Sequence, residues 1–140
     1  KTIVHMNIKK AGIFMKNDKA VGAQVWLVPD CFYPSISSPG HYVSHEAICV
    51  LNTGTEDAHI NLTLYFEDRE PVRSFKTTCK GERTHHVRLD QINDGNGKSI
   101  PQDVPYAIMV ESDVPIVVQY SRLDTTQAEM SLMTTMAHPM

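Results

Sequence analysis

Nothing in this sequence supplies a usual mark of catalysis or of membrane insertion. No apolar run approaches the roughly 20 residues a helix needs to cross a bilayer. The opening KTIVHMNIKKAG has no continuous apolar stretch of the kind a secretory signal requires. There is no basic run, and 13 Lys plus Arg stand against 16 Asp plus Glu, a formal charge of −3. Phosphate neutralisation needs clustered positive charge, so nucleic acid is not an expected partner. Cysteine is scarce, and Cys31, Cys49 and Cys79 share no CxxC spacing and cannot all pair within one chain. Free thiols beside strand-like segments, as at Cys49 and Cys79, behave as small buried hydrophobes. That usage fits a reducing, cytoplasmic location, which makes the sequon Asn61-Leu62-Thr63 coincidental.

Catalytic spacings are missing too. There is no GxSxG, no HExxH and no HxH, and Gly54, Gly95 and Gly97 belong to turns without phosphate-loop spacing. Glu56-Asp57 and Glu67-Asp68 lie in turn segments, where water satisfies them. Seven histidines invite a metal, but the HxxxH of His41 and His45 follows Pro39-Gly40 at a loop exit rather than lying on a helix. His85 and His86 are adjacent, and adjacent strand residues face opposite ways, which puts His85 inward with Val87 and His86 outward with Arg88. No enzyme activity, cofactor or metal is expected.

What the chain does have is short β-patterned segments divided by turn residues. AHINLTLYF (58–66) alternates for nine residues, with Ala58, Ile60, Leu62, Leu64 and Phe66 on one face. EAICVLN (46–52) and PIVVQYS (115–121) are apolar on both faces and read as central strands, a reading periodicity alone does not separate from buried helix. AQVWLV (23–28), VRSFKTT (72–78), THHVRL (84–89) and YAIMVES (106–112) are further strands. NTGTED, EDREP, CKGE, NDGNGKS and ESDVP (111–115) separate them as turns. PDCFYPSISSPGHY (29–42), with three prolines, predicts an ordered functional loop. AEMSLMTTMAH (128–138) fits a helical stripe and a strand alternation, and strand is the preferred reading. The expected fold is all-β, a single antiparallel, jelly-roll-like sandwich over 23–140. Residues 1–22 form an N-terminal extension, either an added hairpin turned by KNDKAVG (16–22) or a segment foreign to the domain.

Binding is the better-supported function. Trp26, the single tryptophan, precedes the loop bearing Phe32, Tyr33 and Tyr42, and aromatic faces beside planar polar groups suit a sugar. Trp26 reads equally as a core residue. VVQYSRLDTTQAEMS (117–131) packs Gln119, Arg122, Asp124, Gln127 and Glu129 directly behind a strand. Arg122 with Asp124 reads as a bidentate recognition pair or as a structural ion pair at a strand end. Met130, Met133, Met136 and Met140 suit either a partner surface or subunit packing.

The segments SHEAICVLNTGTEDAHINLTLYFEDREPV (44–72), ERTHHVRLDQIND (82–94) and VPIVVQYSRLDTTQAE (114–129), together with VWLVPDCFYP (25–34), resemble the sensory-rhodopsin transducer family. The resemblance covers about residues 24–138. It implies a β-sandwich assembled as a homotetramer and binding a small molecule, with sugars the leading suggestion, or relaying signal from a membrane receptor. Carried over by position, the ligand-binding residues are Trp26, His45, Glu46, Arg83, His86, Gln119, Arg122 and Asp124, with Gln127 beside them. His85 stands where another member has lysine, and Cys31 replaces a glycine in the loop after Trp26.

Overall fold

The computed structural model describes residues 19–140. The expected hairpin around 16–22 therefore lies largely outside the described residues. Eight antiparallel strands and no helix are found among the residues described. β1 (Ala23–Cys31), β2 (His45–Asn52), β3 (Ala58–Tyr65), β4 (Val72–Cys79), β5 (Arg83–Arg88), β6 (Tyr106–Asp124), β7 (Ser131–Met136) and β8 (His138–Pro139) follow in chain order. One layer runs β4-β3-β6-β1-β8, and the other β5-β2-β6-β7.

The alternation that defines β3 in the sequence is its packing pattern. Ala58, Ile60, Leu62 and Leu64 are buried in the core, while His59, Asn61 and Tyr65 face water. β2 sends Glu46, Ile48, Val50 and Asn52 inward, with odd-numbered residues on the outer face. On β5, Val87 is buried and His85 Nε2 meets Thr77 Oγ1 of β4 at 3.1 Å across the two layers, while His86 faces out. The opposed orientation of the two histidines follows from strand pleating, as the sequence indicated. The tail takes the strand alternative: β7 pairs with the end of β6, then Ala137 enters the core and β8 crosses to pair with β1 at Trp26.

One expectation is corrected. ESDVP does not turn, and the segments either side of it form a single 19-residue strand, β6. Even-numbered residues point inward in both halves: Tyr106, Ile108, Val110, Ser112, Ile116, Val118 and Tyr120 are all buried, with Val114 only partly so at the join. The first half pairs with β3 as far as Ser112, and the second pairs with β2 from Val117. Pro115 falls between those ladders, beside a bulge in the pairing with β1. No ladder there calls on an N–H that proline lacks. Asp113 still acts as a turn residue would, its carboxylate accepting from His59 N at 2.8 Å, but it serves the neighbouring strand.

The proline-rich segment divides. Pro29, Asp30 and Cys31 extend β1, and the remainder is a loop held by hydrogen bonds to distant segments, among them Ser38 N to Thr125 O and Asp103 N to Tyr33 O. Ser44 is its clasp: Ser44 Oγ donates to Ile36 O at 3.1 Å and accepts from Thr125 N at 3.0 Å, while Ser44 N donates to Ser37 Oγ. Asp103 Oδ1 accepts from Ser35 N at 2.8 Å. Cys79 is the small core hydrophobe expected and Cys31 is buried as well, but Cys49, of which burial was also expected, is not. It lies on the outer face of β2, half-buried.

Candidate functional site

The outer face of the β5-β2-β6-β7 layer is concave. Register places His86, Cys49, Gln119 and Met136 in one row across four strands, and Ser121 beside Thr134 in the next. His45, Leu123 and Leu132 form a third row. Tyr42 from the loop and Met130 from the 125–130 turn close one side, leaving a hollow of about 690 Å³. An adjoining hollow of about 450 Å³, carrying His41 and Gln127, shares Tyr42 and Met130 with the first. Tyr42 is 61% exposed and stands at the junction with its ring uncovered.

The polar groups in this face are few. His45 Nδ1 lies 2.9 Å from Val43 O, which leaves Nε2 free to turn to a ligand. His86 Nδ1 lies 3.1 Å from Cys49 Sγ. The Gln119 amide makes no side-chain hydrogen bond among the described residues. The surrounding surface is mostly apolar, which suits stacking and burial with a small number of directional contacts.

Of the residues the sequence singled out, His45, His86 and Gln119 meet here, with Gln127 in the adjoining hollow. The others are elsewhere. Trp26 is 6% exposed, and its Nε1 donates to Ala23 O at 3.0 Å and Ile116 O at 2.9 Å, so it is a core residue tying β1 to β6. Arg83 pairs in register with Asn52, at the opposite end of β2 from His45, roughly 20 Å away at about 3.3 Å per residue. Asp124 Oδ1 accepts from Thr126 N at 2.8 Å and Thr126 Oγ1 at 2.7 Å, closing the turn after β6. Those two hydrogen bonds, more than the nearby Arg122 charge, hold its carboxyl below the usual range. Arg122 lies opposite Glu46 in register, half-buried on the inner side, without a hydrogen bond from its side chain among the described residues.

Glu46 is fully buried in the sandwich. Oε1 accepts from Phe32 N at 2.7 Å and from the Tyr120 hydroxyl, and Oε2 accepts from the Tyr106 hydroxyl at 2.5 Å. This cluster anchors the start of the loop that presents Tyr42. Burial is the main force raising the Tyr106 and Tyr120 pKa values, and the charge and hydrogen bonds of Glu46 add to it. Their folded pKa exceeds the unfolded value of about 10, so the contribution is complete below that pH and is lost as pH rises beyond it. Tyr106 and Tyr120 should therefore ionise only with loss of the fold, read by tyrosinate absorbance against circular dichroism. Ionisation of both in a chain with native dichroism would show the cluster to be open.

The sequence marked Tyr42 only as one aromatic of the loop and Met130 only as one methionine of the tail, and it missed Cys49, Ser121, Leu123 and Leu132. A signal was present: once Glu46, Ile48 and Val50 are read as inward, the odd-numbered residues of β2 and of the second half of β6 must share the other face. Among the described residues, no group of three or more His, Cys, Asp or Glu is gathered as metal ligands.

Fold and face define a single-domain β-sandwich with a hollowed sheet surface extended by one ordered loop. The family model for the Anabaena sensory rhodopsin transducer matches residues 21–139, and the chain belongs to that family. The crystal structure of Thermotoga maritima 1070 is similar at 40% identity and a TM-score of 0.76, over 85% of this chain and 96% of that one. The Anabaena sensory rhodopsin transducer is likewise 40% identical, with a TM-score of 0.67, over 78% of this chain and 95% of that one. No curated protein matches significantly.

Proposed function

We propose that the chain is a non-catalytic, cytoplasmic signalling module that binds a small molecule, with carbohydrate the favoured class, in the hollow between Tyr42 and Gln119. The observation that carries this reading is the uncovered Tyr42 ring at the meeting of two hollows, beside the unpaired Gln119 amide and the free edges of His45 and His86. A ring face and separated planar hydrogen-bonding groups match the apolar faces and fixed hydroxyls of a sugar. Among the described residues, no Asp or Glu lines the larger hollow. The exposed Met136 and Met140 offer apolar surface on which the subunits of a homotetramer would pack, and a neighbour there would border the rim formed by Leu132.

A second reading is an adaptor relaying signal from a membrane photoreceptor. The exposed apolar strip of Tyr42, Val43, Met130 and Leu132 and membership of the transducer family favour it. A thermal-shift panel of sugars, sugar acids and sugar phosphates separates the two. A ligand at a hundred times its Kd adds about 2.7 kcal/mol, a rise of several degrees at this size. The rise should vanish in Tyr42→Ala and weaken about tenfold in affinity in Gln119→Ala. No shift with any compound, together with capture of the chain by a receptor's cytoplasmic segment, would replace the sensor with the adaptor.

A further inference from the structure

The three cysteines are not equivalent, and the difference falls inside the concave face. Cys31 and Cys79 are fully buried, and Cys79 Sγ donates to the carbonyls of Lys80 and Arg83. Burial pushes the Cys31 thiol far up, and the nearby Glu46 charge adds to it. Cys49 is half-exposed, opens onto the 690 Å³ hollow, and has a base in contact: His86 Nδ1 at 3.1 Å, from the register partner on β5. Strand pairing fixes both residues on the same face, so the contact belongs to the fold.

We infer that Cys49 and His86 form a nucleophilic thiol–imidazole pair, and that the concave face is a site of reversible modification by the disulfides of small thiols. Desolvation raises the Cys49 pKa, and the hydrogen bond with Ser121 opposes it. A thiol so placed needs an adjacent base to react near neutrality, and His86 is that base. The step is an exchange. His86 Nδ1 takes the thiol proton, and Cys49 Sγ attacks one sulfur of the reagent RS–SR. The S–S bond of the reagent breaks as the Cys49–S–SR bond forms. The departing RS⁻ takes the proton back from His86 and leaves as RSH, so the protein thiol is oxidised and the small disulfide reduced. The bound half of the reagent then fills part of the hollow. Any ligand of that face would compete with it, which joins redox state to occupancy without depending on the ligand's class.

Among the described residues, the titratable groups lining the hollow besides Cys49 are Tyr42, His45 and His86. Arg88, outward on β5, is held by Asp90 at 2.7 Å, and Gln119 and Ser121 on β6 carry no charge. The test treats the full folded chain with oxidised glutathione and follows mixed-disulfide formation by intact mass and peptide mapping. The adduct should map to Cys49, leaving Cys31 and Cys79 free, and should reverse with dithiothreitol. Cys49→Ser should take up none. An unassisted thiol is only a few per cent thiolate at pH 7, so His86→Gln should slow the reaction about tenfold there. The wild-type rate should level off with rising pH, while the His86→Gln rate should keep climbing as an ordinary thiol does. Both variants are first shown to melt cooperatively, and free cysteine serves as the reference rate. Equal labelling of all three cysteines, a Cys49 rate no faster than free cysteine, or identical pH profiles for wild type and His86→Gln would each overturn the inference.

Discussion

Glu46→Gln is expected to lower the stability of the domain by about 3 kcal/mol and its melting midpoint by roughly 10 °C. The carboxylate is fully buried and takes three donors, Phe32 N and the Tyr106 and Tyr120 hydroxyls. A carboxamide fills the same volume but replaces one acceptor by an NH₂ that faces donors, so at least one buried group loses its partner. Tyr106→Phe leaves the Oε2 acceptor without its donor but sets no donor against another, so about 1–2 kcal/mol is its expected cost. The loop that carries Tyr42 starts at the Phe32 contact, so the Gln variant should also bind ligand more weakly than its residual stability alone predicts. Thermal and urea melts measure the first effect, and a loss below about 1 kcal/mol would show that the three donors are satisfied in other ways.

Trp26→Ala is expected to cost about 4 kcal/mol, within the usual range for emptying a core site of a large aromatic ring. Trp26 sits at the centre of β1, and its indole N–H bonds the carbonyls of Ala23 and Ile116 where the β1–β6 ladder is bulged. Trp26→Phe keeps most of the packing and loses the donor, so about 2 kcal/mol is the expected cost. The pair also separates a core role from a stacking platform. A sugar platform would lose affinity with little loss of stability. Trp26→Phe should do the reverse: a lower urea midpoint with the ligand's Kd unchanged among folded molecules.

How much of this was legible in the sequence differs by element. β3 announced itself because one of its faces is wet, and nine alternating residues leave no other reading. β2 was legible as a strand but not in orientation, since outer residues such as Leu51 and Cys49 are as apolar as inner ones. That same apolarity hid the concave face. Glu46 and Arg122 look like binding residues on paper because charge normally means surface. Only the inward parity of β6, with Tyr120 and Arg122 continuing the line of Ile116 and Val118, places them inside. Tyr42 was noticed as an aromatic of the loop, but its position depends on the Ser44 and Thr125 contacts, 81 residues apart, which no local pattern encodes. Proline at 115 misled for a simple reason: its missing N–H matters only where a neighbour asks for it.

A strand shared by two layers has a kinetic meaning. Neither layer has a backbone seam along which it can peel away, because separating them would require breaking β6 out of both at once. Amide hydrogens of β6 that are bonded within either ladder should exchange as one block, at the rate of complete unfolding, whichever layer they bond to. Disturbance of Gln119 in the hollow would reach Tyr106 on the far layer through a single continuous backbone.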